Sequence, residues 1–379
     1  MNEINILFVG KYLFQNERIR GGPPRVLSEI VDSLSKEKNV NIFVFSQSEN
    51  NIFSKIKYRN INILILPKYN LNKVINLYRS LRSKIDIIFI FGEYAISLPI
   101  LLDKSKRKIY SFHGIALYEY LFNKSLTLAN SIKYIYLQKI IAEQADCLVS
   151  VSRLSLNNFM KITKVKKPSI VIPNGVKPCR LEESIDLTSP FLTQTISRLK
   201  YPIILFVGRC DIIKGLHILL KAITELKNKY HLVIVGRSSP FFTKIRLIFS
   251  KFFEQKRIIY LGLLKPHELD FLYRCARVLV IPSLFDTFPL ASLEAMIRGT
   301  PVIVSNMVGT SEIIRNWYNG LIFNVNDVRQ LTEYLEIILS DEKLARKIGL
   351  NGKKIASKLT WDFIAKEYLN LAKRFLHEG

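Results

Sequence analysis

The amino-acid sequence predicts an α/β protein built from two doubly wound domains, each a parallel sheet covered by helices. Short apolar, β-branched runs alternate with helical patterns from one end of the chain to the other. These runs are apolar at successive positions, which indicates strands buried on both faces. The series of strands restarts near residue 202, after a polar stretch typical of an interdomain linker.

Twelve strands follow from this pattern in 379 residues, a length typical of two domains. We place the domains, both Rossmann-like, at residues 1–178 and 200–358. The last segment, 360–379, has helical spacing and is long enough to pack back across the first domain. The predicted strands are 4–9, 40–45, 61–66, 86–91, 107–112, 146–151, 169–172, 202–208, 231–235, 257–261, 278–281 and 301–304.

The composition is that of a folded globular protein, with 49% hydrophobic and 23% charged residues. No Cys-x-x-Cys pair and no histidine at metal spacing accompanies the four cysteines, which are Cys147, Cys179, Cys210 and Cys275. This predicts reduced thiols in a cytoplasmic protein, with no zinc site and no disulfide framework.

Neither a signal peptide nor a transmembrane segment is expected. The N-terminal run has no basic region and no small-residue cleavage site. The most apolar window, residues 85–102, contains Asp86, Glu93 and Pro99. It is better divided into a buried strand, a loop and the start of a helix.

Positive charge is concentrated in one part of the chain. The formal net charge is +25, and residues 51–180 contain 22 Lys and Arg but only 6 Asp and Glu. A basic surface of this kind suits an anionic partner such as a membrane surface or a diphosphate-linked acceptor. Alternatively, the positive charge reflects the general composition of the chain and indicates no partner, because Lys is abundant throughout. No nucleic-acid-binding signature accompanies the charge.

The first candidate binding element is the loop that follows the strand at 202–208. Arg209 and Lys214 lie in this loop, directly before a helix. Ligands of open α/β sheets bind beyond the carboxyl ends of strands and beside helix N-termini. Two cations at that place suit a diphosphate, although they are also compatible with an ordinary solvated pair.

Two acids eight residues apart, Asp286 and Glu294, form the second candidate element. Asp286 lies in a loop, and Glu294 lies two turns into the following helix, where its carboxylate would accept hydrogen bonds from a ribose. The alternative for Asp286 is an acid stabilised by the helix dipole. Backbone amides at the helix start would cradle a phosphate or sugar oxygen; they belong to Phe288, Leu290 and Ala291.

Two further candidates lie in the first domain. Gly21 and Gly22 precede two prolines at a predicted helix start, and glycines permit close approach of the backbone to a phosphate. His113 ends a strand. Its imidazole is either a structural group whose hydrogen bonds are made within the domain, or a binding group at the carboxyl end of the sheet. It would face Asp286 and Arg209 if both domains present their strand ends to a shared cleft.

Taken together, these motifs resemble the family 4 glycosyltransferases of the GT-B fold, a retaining group that uses nucleotide sugars. The likeness extends over almost the whole chain in the family's order. It rests on Gly21-Gly22, Phe112-His113-Gly114, Ile172 to Val176, Gly208-Arg209, Lys214-Gly215, the block from Pro282 to Ile303, and Gly309 to Glu312.

The resemblance implies roles for the candidate residues. Arg209 and Lys214 would hold the donor diphosphate, Glu294 the ribose, and Asp286 the sugar hydroxyls. His113 would lie beside the transferred sugar on the acceptor side. The family usually has Glu at the position of Asp286, and the shorter side chain reaches about one methylene less far. This difference either changes which sugar is held or weakens catalysis, and we expect the first.

The function implied is transfer of a hexose from a nucleotide-diphosphate sugar to a hydroxyl, with retention and without a metal or other cofactor. A lipid-linked or surface-polysaccharide acceptor is expected, with peripheral contact of the protein at the inner face of the cell membrane. The segment 238–257, with five Lys and Arg and five phenylalanines, would lie on that membrane or form an ordinary helix. The rival functions are a nucleotide-sugar epimerase and a non-catalytic sugar-nucleotide-binding protein.

Overall fold

A computed structural model describes residues 3–14, 22–48, 53–67, 70–92, 95–123, 128–178 and 189–377. The chain divides into two compact units. The first comprises Met1–Tyr120, Ser125–Gly175 and Trp361–Gly379. The second comprises Val176–Thr360 together with Leu121–Lys124. Each unit is an α/β domain with one predominantly parallel sheet, as the sequence predicts.

The sheet of the first unit has eight strands in the described residues, in the order β3-β4-β2-β1-β5-β6-β7-β8. All neighbouring strands are parallel except β3 and β4, which form an antiparallel pair at one edge. The strands are β1 Ile4–Val9, β2 Val40–Ser48, β3 Ser54–Tyr58, β4 Ile61–Pro67, β5 Ile87–Phe91, β6 Arg107–Phe112, β7 Cys147–Ser150 and β8 Ser169–Val171.

Helices cover this sheet. Most follow a strand directly, and α1 buries eight of its twelve residues. The helices before Gly175 are α1 Pro23–Leu34, α2 Leu71–Leu81, α3 Leu98–Leu101, α4 Ala116–Asn123, α5 Leu128–Gln144 and α6 Arg153–Thr163.

The sheet of the second unit has six parallel strands in the described residues, in the order β11-β10-β9-β12-β13-β14. This is the strand order of a doubly wound nucleotide-binding domain, and its direction of winding reverses between β9 and β12. The strands are β9 Ile203–Val207, β10 His231–Val235, β11 Ile258–Gly262, β12 Val278–Ile281, β13 Val302–Ser305 and β14 Leu321–Phe323.

Eight helices are described between Val176 and Thr360. Buried residues of α8 and α13 join those of the central strands in one hydrophobic core. The helices are α7 Pro190–Ser197, α8 Leu216–Thr224, α9 Pro240–Ile248, α10 Ser250–Glu254, α11 Pro266–Cys275, α12 Leu290–Ile297, α13 Val328–Ser340 and α14 Glu342–Ala356.

The C-terminal helix, α15 (Trp361–His377), belongs to the first unit although it follows the second in sequence. It packs against α1, and its buried side chains include Trp361, Ile364 and Tyr368. Gly175 lies against the start of the same helix, since a Cβ added at Gly175 would lie 2.8 Å from the Trp361 ring. The chain therefore leaves and re-enters the first unit at adjacent points.

All twelve predicted strands have counterparts, but the sequence pattern missed β3 and β14. β3 alternates exposed polar with partly buried side chains, as an edge strand does, whereas the prediction sought strands buried on both faces. β14 has only three residues. The predicted linker was also wrong in part, since residues 190–197 form α7; residues 179–188 lie outside the described part of the chain.

No helix among the described residues is both long and apolar enough to cross a membrane. The window at 85–102 forms β5, a short 3-10 helix and α3. Of the four cysteines, Cys147 and Cys210 are buried free thiols and Cys275 is an exposed free thiol. Cys179 lies outside the described residues.

Candidate functional site

Lys214 and Asp286 form an ion pair beyond the carboxyl ends of β9 and β12. Lys214 Nζ lies 2.6 Å from Asp286 Oδ2, and the two side chains are only 24% and 11% exposed. The winding of the sheet reverses between these two strands, and that reversal opens a crevice where doubly wound domains bind ligands. Two residues predicted separately are therefore a single charged pair at the expected place.

Asp211 organises the loop that carries the two predicted cations. Its buried carboxylate accepts a hydrogen bond from the Lys214 amide at 3.3 Å and caps the 3-10 helix Ile212–Lys214. The other carboxylate oxygen lies 3.1 Å from Nε of Arg209, whose side chain is half-exposed. One acid thus fixes the backbone of Lys214 and holds the Arg209 guanidinium at the edge of the loop.

Gly215 brings this loop against the end of β12. Its φ of 69° is in the left-handed region, and a Cβ would overlap the carbonyl oxygen of Pro282. The resulting close packing sets the distance between the loop and the segment that carries Asp286. Glycine is therefore required here for two independent reasons.

We expect Gly215→Ala to lower the free energy of unfolding by about 3–5 kcal/mol, because it adds overlap with Pro282 to the strain of a left-handed alanine. Gly262→Ala is the matched control. Its φ is 70°, but nothing lies within 4 Å of its added Cβ, so a loss of about 1–2 kcal/mol is expected. Urea unfolding of both variants measures the difference, and equal losses would contradict the close approach.

The backbone of Asp286 is fixed by the segment that follows β13. The Asp286 amide donates to the Met307 carbonyl at 3.1 Å, and the Gly309 amide donates to the Asp286 carbonyl at 2.8 Å. The short 3-10 helix Gly309–Ile313, which includes Glu312, begins at this point. Asp286 is thus held by two hydrogen bonds at its main chain and one ion pair at its side chain.

The N-terminus of α12 lies directly after this loop. Pro289 precedes the helix, and no side chain caps it. Amides of a first helical turn have no acceptor within the helix, so those of Leu290 and Ala291 are the groups that an anion would meet. The Phe288 side chain is buried, so only its main chain is suited to the predicted contact.

Glu294 is held by residues that the sequence did not single out. The buried Tyr273 of α11 donates its hydroxyl to Glu294 Oε2 at 3.0 Å. Arg298 donates to the Glu294 carbonyl at 2.8 Å and forms an ion pair with Asp270. Tyr273 therefore fixes the position of one oxygen of the Glu294 carboxylate.

In the first unit, His113 directly follows β6 and stacks on Phe91, with ring centroids 5.3 Å apart. Its Nε2 lies 3.0 Å from Ser111 Oγ, which in turn lies 2.8 Å from the Tyr368 hydroxyl of α15. Burial lowers the pKa of His113 to about 3. The imidazole is therefore neutral at physiological pH and interacts as a polar group, not as a cation.

This pKa predicts a specific pH dependence of stability. The unfolded chain binds a proton at His113 near its ordinary pKa of about 6.5, whereas the folded chain does not until about pH 3. The free energy of unfolding should therefore fall as the pH drops from about 6.5 towards 3. His113→Asn should flatten that part of the profile in urea unfolding, and a profile parallel to that of the wild type would contradict the shift.

Gly22 lies at the start of α1 with a φ of 76°, followed by Pro23 and Pro24 in the first turn. The Arg25 amide donates to the Gly22 carbonyl at 3.0 Å. Gly21 lies outside the described residues. The approach of His113 to Asp286 and Arg209 across a cleft stays a prediction, as do the ligand contacts of all the candidate residues.

Two family profiles match this chain and together account for most of it. The family described as "Glycosyltransferase Family 4" matches residues 20–180, and that described as "Glycosyl transferases group 1" matches residues 192–355. The chain belongs to the group 1, family 4 glycosyltransferases. The candidate residues of the glycosyltransferase that lie beyond β9 and β12 all fall within the second match.

Three curated relatives differ in how much of the chain they match. An uncharacterized glycosyltransferase of Methanocaldococcus jannaschii, MJ1607, is 29% identical over 64% of this chain and 63% of its own length. An uncharacterized 41.2 kDa protein in the cps region of Klebsiella pneumoniae is 27% identical over 84% and 87%. The N,N'-diacetylbacillosaminyl-diphospho-undecaprenol alpha-1,3-N-acetylgalactosaminyltransferase of Campylobacter jejuni is 30% identical over 47% and 46%. The chain thus spans under two thirds of the first relative and under half of the third.

Solved structures share the GT-B fold of the glycosyltransferase. Sucrose-phosphate synthase from Thermosynechococcus elongatus matches with a TM-score of 0.78 and 20% identity, over 100% of both chains. Anabaena Alr3699/HepE in complex with UDP-glucose matches with a TM-score of 0.74 and 16% identity, over 98% of this chain and 100% of that one. At these identities the likeness establishes the fold alone.

Three residues that hold candidate site residues in place were not predicted from the sequence. Asp211 had a usable signal, because an aspartate three residues before Lys214 has the spacing of a helix N-cap. Tyr273 and Tyr368 had none. Tyr273 lies 21 residues from Glu294, and Tyr368 lies 257 residues from Ser111, so only the fold brings each pair together.

Proposed function

We propose that this glycosyltransferase moves a hexose from a nucleotide-diphosphate sugar to a hydroxyl group of a lipid-linked or surface-polysaccharide acceptor, with retention at the anomeric carbon. The observation that carries this proposal is the Lys214–Asp286 pair, with Arg209 on the same loop. Cations for a diphosphate and an acid for sugar hydroxyls lie next to each other where a doubly wound sheet binds its ligand.

The donor diphosphate is assigned to Arg209, Lys214 and the first-turn amides of α12. Guanidinium and ammonium groups bind phosphate oxygens, and a helix N-terminus adds oriented amides. Glu294 binds the ribose, with Tyr273 holding its second oxygen. The Anabaena neighbour, whose complex contains UDP-glucose, supports a nucleotide sugar as the donor class.

In the proposed reaction, the bond between the anomeric carbon and the diphosphate oxygen breaks, and the acceptor hydroxyl forms a new bond on the same face. The leaving phosphate takes the acceptor proton. Arg209, Lys214 and the α12 amides stabilise the negative charge that develops on the diphosphate. These groups supply positive charge without a metal, and we propose a metal-independent reaction. Asp286 fixes the sugar hydroxyls.

On the acceptor side, His113 contacts the transferred sugar as a neutral hydrogen-bonding group. Its lowered pKa suits that role, because a buried imidazolium would be costly beside an oxocarbenium-like centre. The Gly21-Gly22 segment lets the backbone approach the ligand closely. Ser111 and Tyr368 act through His113 by fixing its ring.

The acceptor class rests on relatives and on charge. The Campylobacter relative is named for a diphospho-undecaprenol substrate, and the Klebsiella relative is encoded in a cps region. The basic residues at 51–180 suit an anionic surface or diphosphate. We therefore propose that the protein associates peripherally with the inner face of the cell membrane and acts there in polysaccharide biosynthesis.

A thermal-shift screen against UDP-, GDP- and ADP-sugars tests the donor assignment. Stabilisation by one nucleotide class is expected, because a ligand that binds the native state raises its apparent stability. The product formed with a polyprenyl-diphosphate sugar is then characterised by NMR. Release of an altered donor sugar without an acceptor would identify an epimerase. Stabilisation without turnover of any acceptor would favour a non-catalytic binding protein.

A further inference from the structure

Two aliphatic side chains protrude from the second unit at the end of α9. Leu247 and Ile248 are 74% and 76% exposed, and they are adjacent in sequence. α9 ends at Ile248 and α10 begins at Ser250, so the chain turns at this point. Isolated exposed apolar residues are ordinary, but an adjacent pair at a helix corner presents a continuous apolar tip.

The phenylalanines around this tip face inward and anchor it. Phe242 is fully buried, and the other four pack against the hydrophobic core; they are Phe241, Phe249, Phe252 and Phe253. Of the two alternatives for segment 238–257, the helix that buries one aromatic face describes these phenylalanines.

Basic residues flank the tip on both sides in the sequence. Lys244, Arg246 and Lys251 are exposed, and the Arg246 guanidinium lies 5.5 Å from the centroid of the Phe253 ring. From residue 244 to residue 251 there is no acidic residue. An exposed apolar pair flanked by exposed cations is complementary to an anionic bilayer, whose headgroups attract the cations while the acyl boundary accepts the aliphatic side chains.

We propose that residues 244–251, the α9–α10 tip, dock this protein on an anionic lipid bilayer. The inference rests on the proposed function, which requires access to a membrane-linked acceptor. Lys244 and Lys251 contact lipid phosphates through flexible stems, and Leu247 and Ile248 enter the headgroup region between them. Attachment is peripheral and reversible, because only two side chains enter the bilayer and the cations are screened by salt.

The test is vesicle flotation of the full chain with phosphatidylglycerol–phosphatidylcholine vesicles and with pure phosphatidylcholine vesicles. The wild type should float only with the anionic vesicles. The double variant Leu247→Ser/Ile248→Ser should bind them at least tenfold more weakly. Leu102→Ser is the matched control, since Leu102 is 83% exposed but follows α3 beside Asp103; its binding should equal that of the wild type.

Lys244→Gln/Lys251→Gln should remove most of the preference for anionic vesicles and most of the salt sensitivity. Loss of binding in Ile132→Ser/Tyr136→Ser, with binding retained in the Leu247→Ser/Ile248→Ser variant, would overturn the proposal in favour of the exposed face of α5. A wild-type dimer that Leu247→Ser/Ile248→Ser dissociates would overturn it in favour of contact between copies. Absence of wild-type flotation, with stabilisation by a nucleotide sugar intact, would overturn docking alone and leave glycosyl transfer standing.

Discussion

Asp286→Asn should lower kcat/KM for glycosyl transfer by about 10²–10³-fold, the usual effect of removing one preorganised electrostatic contact. The asparagine keeps the size of the side chain but removes the charge that pairs with Lys214 at 2.6 Å. Lys214 then loses the partner that fixes its ammonium group, and the sugar loses a charged acceptor for its hydroxyls. Steady-state kinetics with the donor found by thermal shift measures the loss.

Asp362→Asn is the matched control for this substitution. Asp362 also lies 2.6 Å from a lysine, Lys36, but that pair is exposed. Both residues belong to the first unit, where Asp362 is in α15 and Lys36 follows α1. Exposed ion pairs contribute little to stability, so this variant should keep near wild-type activity and stability. Asp286→Asn with activity within threefold of the wild type would contradict the assignment of this pair to the site.

Asp286→Glu tests whether the unusual aspartate changes which donor sugar is held or weakens catalysis. The family usually has glutamate here, and the added methylene extends the carboxylate by about the length of one carbon–carbon bond. Lys214 already reaches Asp286, so the pair does not need the longer side chain in order to form. We therefore expect the variant to keep activity and to change its relative preference among donor sugars.

The alternation of apolar runs and helical patterns predicted the fold because buried parallel strands have a strong local signature. The same criterion missed β3, whose Ser54, Lys55 and Lys57 side chains face partly or fully to solvent at the sheet edge. It also read part of the stretch before β9 as linker, although Pro190 begins a helix. Edge strands and short helices depend on their neighbours more than on their own composition.

Individual site residues were predictable because each follows a strand or begins a helix. The contacts between them were not. The pairing of Lys214 with Asp286 depends on Gly215 packing against Pro282, which is a property of two loops 67 residues apart. The Ser111 hydroxyl that is hydrogen-bonded to His113 is also hydrogen-bonded to Tyr368, from the last helix of the chain. Long-range contacts of this kind have no signature in a single sequence.

Tyr273→Phe should raise KM for the nucleotide sugar by about tenfold and leave kcat nearly unchanged. The Tyr273 hydroxyl donates to Glu294 Oε2 at 3.0 Å, and a hydrogen bond to a charged group contributes about 1.5–3 kcal/mol. Without it, Glu294 is held less firmly and binds the ribose less well. The ribose does not react, so ground-state and transition-state binding should weaken together.

Tyr230→Phe isolates this effect from a general loss of stability. Tyr230 is as buried as Tyr273 and donates its hydroxyl to the Ile223 carbonyl at 2.7 Å, away from Glu294. Both variants lose one buried hydroxyl donor and should lose similar stability in urea unfolding. Only Tyr273→Phe should raise KM, and Glu294→Gln should raise it further. A rise in KM shared by Tyr230→Phe would show that Tyr273 supports the fold of the unit, and not the position of the ribose-binding carboxylate.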